Sequence, residues 1–258
     1  MKTIGIVCEG DRDYEMLRAI IMHFTDEEYF FTWLQPNPEF GTEFGNGWKG
    51  VWRWCEINGE SLTDYLNGIT PRIDLLIIQM DADVARCEKE AYCSSINIGC
   101  SGQGREQPLN CTIAKDKERG CLQQLPPNSV CNGTPESRVS FLRKILDGLL
   151  CGEDRDQIII TIPCDSTDTW IMAAFEDPRE EIESFSDPWD FISRKKDYHG
   201  IRVQGHKKTK RVYYQLIAKV CEDWDKVAAQ CPQAHLFEEH VRDKLFVFED
   251  SNASATSV

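Results

Sequence analysis

Acidic side chains occur in three pairs, each directly after an apolar stretch of the sequence. The pairs are Glu9 with Asp13, Asp81 with Asp83, and Asp165 with Asp168. In an open parallel sheet, functional residues gather beyond the carboxyl ends of the strands, so we expect these six carboxylates to converge. Carboxylates that meet repel one another unless a cation lies among them. Hard oxygen ligands of this kind predict a site for Mg²⁺ or Mn²⁺, with room for two ions.

The stretches before these acids have the pattern of buried strands. Apolar, β-branched runs at residues 3–8, 73–80 and 157–162 predict three strands, and an aromatic run at 29–34 predicts a fourth. Helical spacing of apolar residues follows the first strand and recurs at 139–149 and 167–175. We interpret residues 35–50 as a loop and 61–66 as a short helix. This alternation indicates an α/β fold with a mostly parallel sheet flanked by helices.

The rest of the chain divides by composition. We expect the first part of the core at residues 1–83, a cysteine-rich insertion at 84–135, and the second part of the core at 136–176. Residues 177–248 combine a basic segment with a C-terminal helical extension, predicted as helices at 209–230 and 233–245, and 249–258 form a disordered tail. No apolar run approaches the roughly 20 residues of a membrane span. We therefore expect a soluble, cytoplasmic protein without a membrane partner.

Each acidic pair also has an ordinary structural interpretation. Glu9 and Asp13 could complement the dipole of the helix that follows the first strand. The second pair could form a turn that ends its strand, and Asp165 could cap a helix. The metal site is favoured because all three pairs occur together, each at the end of a predicted strand.

The combination resembles the Toprim domain: a strand that ends in Glu9-Gly10, an acid four residues later, and a strand that ends in Asp81-Ala82-Asp83. The segment IPCDSTDTWIMAAF at 162–175 resembles small stand-alone Toprim-like proteins of phage-defence loci and, with the other acids, OLD-family nucleases. This resemblance implies metal ligation by Glu9, Asp13 and the Asp81–Asp83 pair. The resemblance further implies that one acid of the segment at 162–175 is a metal ligand. We choose Asp168 for this role, with Asp165 as the substitute. The catalytic acids would be Glu9, Asp81, Asp83 and Asp168.

One segment is basic although the chain as a whole is acidic. The sequence has 29 Lys and Arg against 43 Asp and Glu, a net charge of −14, which argues against a protein that coats nucleic acid with its whole surface. Residues 194–211 nevertheless hold eight basic side chains and one acid, which predicts a local phosphate contact unless the segment is simply a solvated loop. The eight are Arg194, Lys195, Lys196, Arg202, Lys207, Lys208, Lys210 and Arg211. The resemblance implies that one lysine of this segment, Lys207, Lys208 or Lys210, stabilises charge at the scissile phosphate.

Six of the twelve cysteines fall in the insertion: Cys87, Cys93, Cys100, Cys111, Cys121 and Cys131. A structural Zn²⁺ site would order such a polar segment. No C-x-x-C pair occurs, so disulfides and free thiols remain open alternatives.

The sequence thus predicts a metal-dependent nuclease that hydrolyses phosphodiester bonds with two metal ions, with DNA favoured over RNA. The resemblance implies an effector of prokaryotic anti-phage defence controlled by a partner ATPase of the ABC or AAA type, because no Walker motif is present. A homo-oligomer is compatible with this picture. The alternatives are a non-catalytic sensor or inhibitor subunit on a Toprim scaffold, and a haloacid-dehalogenase-like phosphatase that would use Asp81 as a nucleophile.

Overall fold

A four-stranded, fully parallel sheet forms the centre of the computed structural model, which describes residues 1–37, 44–85, 134–150, 155–203 and 205–246. Its strands are β1 (Thr3–Val7), β2 (Phe30–Gln35), β3 (Leu75–Gln79) and β4 (Ile158–Thr161), in the order β2-β1-β3-β4. Ile6 pairs with Ile77 of β3 and with Trp33 of β2. β1 and β3 are therefore the two inner strands, and all four carboxyl ends lie at one edge of the sheet.

Helices cover both faces of the sheet. In chain order they are α1 (Asp11–His23), α2 (Trp48–Asn58), α3 (Leu62–Gly68), α4 (Pro135–Leu149), α5 (Asp168–Phe175), α6 (Pro188–Arg194), α7 (Lys210–Glu222), α8 (Trp224–Gln230) and α9 (Pro232–Phe246). Between α6 and α7 lies a short antiparallel hairpin of β5 (Asp197–Tyr198) and β6 (Ile201–Arg202). The predicted α/β class with a mostly parallel sheet flanked by helices is confirmed.

Alternate residues of the strands enter two separate hydrophobic cores. Ile4 and Ile6 of β1 and Ile77 of β3 pack with α1, α5 and the C-terminal helices, whereas Val7 and Ile78 pack with α2, α3 and α4. This alternation follows from the period of two residues in a strand. Because both faces of the sheet are buried, the sequences of its strands are nearly continuous apolar runs.

Three segments differ from the sequence-based prediction. Helix α2 lies partly within the expected loop at 35–50, because Val51, Trp54, Cys55 and Asn58 form a buried helical stripe after a glycine-rich start. The helix expected at 209–230 is divided into α7 and α8 at Asp223, which has φ −104° and ψ 28°. Between residue 177 and α7, where no helix or strand was predicted, the structure contains α6 and the β5–β6 hairpin.

Two predicted segments lie wholly or largely outside the described residues: the cysteine-rich insertion, of which only its two ends are described, and the C-terminal tail at 249–258. Within the described ranges, no helix combines the length and the apolar character needed to cross a bilayer.

Candidate functional site

The acidic pairs meet at the carboxyl edge of the sheet because β1, β3 and β4 are adjacent. Glu9 follows β1, Asp81 follows β3, and Asp168 begins α5 after β4. Two backbone hydrogen bonds join the ends of β3 and β4: the Ala82 N–H donates to the Pro163 carbonyl and the Asp83 N–H to that of Asp165, each at 3.1 Å. The loops that carry the second and third pairs are therefore fixed to each other.

Glu9 is held through its carboxylate and its backbone by groups at the carboxyl end of β3. Its Oε1 accepts a hydrogen bond of 2.8 Å from the Asp81 backbone N–H. Gln79, which is fully buried, accepts a bond from the Glu9 N–H at 3.2 Å and donates to Asp81 Oδ1 at 2.6 Å. One buried glutamine thus fixes both Glu9 and Asp81.

The second part of the site is held by side chains from α5 and α7. Thr167 donates its hydroxyl proton to Asp13 Oδ1 at 2.6 Å. Tyr213 of α7 donates to Asp168 Oδ1 at 2.9 Å, and the ammonium of Lys208 forms an ion pair with Asp168 Oδ2. Asp168 is only 2% exposed, whereas the side chain of Lys208 is 34% exposed, so the pair joins a buried carboxylate to a partly exposed ammonium.

Lys208 lies between two aromatic rings and the acidic cluster, and its side chain is partly exposed. Its ammonium lies 5.5 Å from the ring centre of Trp189 and 5.9 Å from that of Tyr213. Its backbone carbonyl accepts a bond of 2.9 Å from Nε of Arg12. Lys208 therefore enters the site from the segment before α7, and both its ends have fixed partners.

The electrostatics follow from this arrangement of charges. Burial, together with the nearby charges of Asp13 and Asp83, raises the pKa of Glu9 to about 8. Burial and the charges of Glu9 and Asp13 raise the pKa of Asp81 well above its ordinary value, and burial also raises the pKa of Asp13. Burial opposes the charged form of Lys208, but Asp168, Asp13 and Asp81 outweigh it and raise the pKa of this lysine. Glu9, Asp13 and Asp81 therefore keep their protons more readily than exposed carboxyl groups do, since the single ammonium of Lys208 does not offset the cost of ionising all of them.

The remaining two acids lie in the loops after β3 and β4. Asp83 is half-buried and contributes to the field at Glu9 and Asp81. Asp165 is 2% exposed, and its carbonyl accepts the bond from the Asp83 N–H.

The donor set has the chemistry of a hard-cation site. Several carboxylates surround one cation, the ammonium of Lys208, and carboxylate oxygens are the donors that Mg²⁺ and Mn²⁺ select. As the side chains stand, no group of three or more His, Cys, Asp or Glu in the described ranges has a ready-made ligating arrangement. Metal binding by these residues would therefore require carboxylates such as Glu9 to exchange their present hydrogen bonds for the ion.

The other basic side chains lie outside the cluster. Arg194 pairs with Asp190 at 2.7 Å, and Lys195 pairs with Glu176 at 3.2 Å. Five others have exposed side chains: Lys196, Arg202, Lys207, Lys210 and Arg211. Three lysines were candidates for the lysine at the scissile phosphate: Lys207, Lys208 and Lys210. Of these, Lys208 is the one that contacts Asp168.

The cysteines proposed as zinc ligands, from Cys87 to Cys131, all lie outside the described residues. Cys8, Cys55, Cys164, Cys221 and Cys231 are described, and their thiols are free.

Four residues of the site were not identified from the sequence: Arg12, Gln79, Thr167 and Tyr213. Gln79 had a detectable signal, because it is the polar residue within the apolar run of β3. Tyr213 falls on the buried stripe of α7, where its spacing is that of a core residue. Arg12 and Thr167 show no local pattern, since their partners are distant in the sequence.

A cleft of about 320 Å³ opens beside Glu9. It is lined by Glu9, Gly10, Asp11, Trp33, Pro36, Asn37 and Asn46. The carboxylates thus adjoin a partly aromatic, partly polar concavity rather than a closed interior.

Comparison with known proteins identifies no relative of this chain. No family model matches the chain, and neither a curated protein nor a solved structure matches it.

Proposed function

We propose that this protein is a metal-dependent nuclease with a Toprim-like arrangement of its acidic residues. The observation that carries the proposal is the convergence of Glu9, Asp81 and Asp168 from three adjacent parallel strands, together with a lysine that contacts one of them. Ionising several carboxylates in one site costs free energy unless a cation compensates their charge. Such a cluster beside an open cleft is expected to bind divalent ions and, through them, phosphate.

Glu9, Asp13, Asp81, Asp83 and Asp168 would hold the ions, with Asp165 close by in the same loop as Asp168. Bound Mg²⁺ or Mn²⁺ would supply polarisation of the phosphate and a more acidic water. Gln79 and Tyr213 would orient the carboxylates of Asp81 and Asp168 through the hydrogen bonds that they already donate. Lys208 would place positive charge near a phosphate oxygen, where charge develops in the transition state.

The nucleic acid would approach from the side of the basic segment. Lys207, Lys210 and Arg211 are exposed and adjoin Lys208 in sequence, so they are available for backbone phosphates. The cleft beside Glu9 offers room for a nucleotide next to the scissile bond.

The test is cleavage of supercoiled plasmid, linear duplex, single-stranded DNA and transfer RNA with Mg²⁺ or Mn²⁺. We expect Glu9→Ala and Asp81→Ala each to reduce cleavage by about a hundredfold or more. Asp64→Ala, at an exposed acid of α3, is the matched control and should cleave like the wild type. Equal cleavage by all four proteins would contradict the proposal, because it would indicate a contaminating nuclease.

The resemblance extends the proposal to a biological setting. A defence effector that lacks its own Walker motif would depend on an ATPase of the ABC or AAA type for control. Cleavage that appears only after such an ATPase is added would support this part of the proposal, and metal-independent inhibition of the ATPase would contradict it.

A non-catalytic sensor or inhibitor subunit is the second candidate. It is favoured by the present positions of the side chains, because Glu9 bonds the Asp81 N–H and Lys208 already pairs with Asp168. Calorimetry with Mn²⁺ separates the two candidates. Binding that is lost in Asp81→Ala supports the nuclease, and no binding supports the scaffold.

A further inference from the structure

Arg12 lies between the acidic cluster and the basic segment, although it is neither a candidate metal ligand nor part of that segment. Its side chain is 15% exposed. Nε donates to the Lys208 carbonyl at 2.9 Å, Nη1 pairs with Asp11 at 3.0 Å, and the guanidinium lies 5.9 Å from the ring centre of Tyr213. The Nε bond is the directional contact among these three, since Nη1 lies near Asp11 without a hydrogen bond to it.

We propose that Arg12 is a positioning residue that holds Lys208 inside the acidic cluster, where the Lys208 ammonium acts as the resident cation. The inference deepens the proposed function, because it concerns the same site. It rests on a chain of contacts: Arg12 holds the main chain of Lys208, and the side chain of Lys208 then reaches Asp168.

The other contacts of this loop explain why the arginine is needed. The Gly205 backbone has φ +65°, and the Trp189 indole N–H donates to the His206 carbonyl at 2.7 Å. That bond holds the start of the loop but leaves Lys208 two residues away. Arg12 is the described contact that ties the Lys208 carbonyl to α1, the helix that also carries Asp13.

The charge around Lys208 defines what its release would do. Asp168, Asp13 and Asp81 all act on its ammonium. If the ammonium leaves, these carboxylates lose their compensating charge, and a divalent cation no longer competes with it. Release of Lys208 should therefore strengthen metal binding.

The first experiment needs no metal. The whole protein is acetylated with trace N-hydroxysuccinimide acetate in EDTA, and each lysine is quantified by mass spectrometry. In the wild type we expect Lys208 to react about tenfold more slowly than the exposed Lys207 and Lys210, because its ammonium is ion-paired with Asp168 and its side chain is only partly exposed. Arg12→Lys keeps the positive charge but loses the fixed geometry of the guanidinium. We expect this variant to bring Lys208 to the rate of Lys207.

Arg18→Lys is the matched control, since Arg18 lies on the same helix and contacts Glu15 and Phe31 instead of the loop. It should leave Lys208 protected. Protection that persists in Arg12→Lys, or that is lost equally in Arg18→Lys, would overturn the proposal.

The second experiment measures Mn²⁺ affinity by calorimetry. Arg12→Lys and Lys208→Met should each tighten binding by about tenfold, and the double variant should bind no more tightly than Lys208→Met alone. Independent, additive effects would overturn the proposal, because they would mean that Arg12 influences metal binding by a route other than its contact with Lys208. Absence of Mn²⁺ binding in every variant would refute the metal site of the proposed function, while the acetylation result would still decide the role of Arg12.

Discussion

The acidic cluster has two halves, and each half stabilises its closely spaced carboxylates in a different way. In the Glu9 half, formed by Glu9, Gln79 and Asp81, the carboxylates are satisfied by an amide and a backbone N–H. In the Lys208 half, formed by Asp13, Asp168 and Lys208, an ammonium compensates the charge. Burial raises the pKa of Glu9 to about 8 despite its neutral donors, whereas Lys208 opposes the rise that burial causes in the pKa of Asp13. The Glu9 half is thus the part of the cluster with the greater need for an added cation.

Gln79→Leu should have the largest effect on stability, because it removes both side-chain bonds of Gln79 within a buried region. The Glu9 N–H and Asp81 Oδ1 would each lose a partner, and we expect a loss of about 3 kcal/mol in the free energy of unfolding. Urea denaturation measures this loss. Gln215→Leu, at an exposed position of α7, is the control and should change stability by less than about 0.5 kcal/mol.

Glu183 provides a buried carboxylate outside the cluster for comparison. It accepts bonds from the Trp170 indole N–H at 2.9 Å and the Gln233 N–H at 3.0 Å, and the latter lies in the first turn of α9. Burial raises the pKa of Glu183 above its ordinary 4.5 despite these donors. The folded protein therefore holds this proton more tightly than the unfolded chain, and its contribution to stability falls as the pH rises from 4.5 through the raised pKa.

Glu183→Gln should lower the free energy of unfolding by about 1–2 kcal/mol at pH 5. The amide NH₂ group takes the place of one carboxyl oxygen and cannot accept the hydrogen bond that the Gln233 N–H donates. The same variant should remove part of the loss of stability that the wild type shows as the pH rises above 4.5. Thermal unfolding across this range measures both effects. Parallel curves for the variant and the wild type would contradict the assignment of this pH dependence to Glu183.

The smallest expected effect tests the Lys208 half. Tyr213→Phe removes only the hydroxyl that donates to Asp168, which still has Lys208, so we expect a loss of about 1 kcal/mol. Tyr214→Phe is a close control, because the neighbouring hydroxyl donates to Glu15 at the surface. A larger loss in Tyr214→Phe than in Tyr213→Phe would refute the view that the buried bond orients Asp168.

The sequence predicted strands β1, β3 and β4 within two residues at each end. The predictions of 3–8, 73–80 and 157–162 correspond to Thr3–Val7, Leu75–Gln79 and Ile158–Thr161. Burial on both faces requires apolar residues at consecutive positions, and this leaves a local signal. Helix α2 was not predicted, because its apolar stripe begins within a segment whose glycines indicate a loop.

By itself, the sequence determined the α/β class and placed acidic residues at the ends of three strands, because burial and strand period are local properties of the chain. Only the tertiary structure decided that Lys208, rather than Lys207 or Lys210, pairs with Asp168. It also decided that Glu9 bonds the Asp81 N–H, 72 residues away, and that Arg12 bonds the Lys208 carbonyl, 196 residues away. Such partners depend on the path of the loops between the elements, and that path has no periodic pattern that a sequence can display.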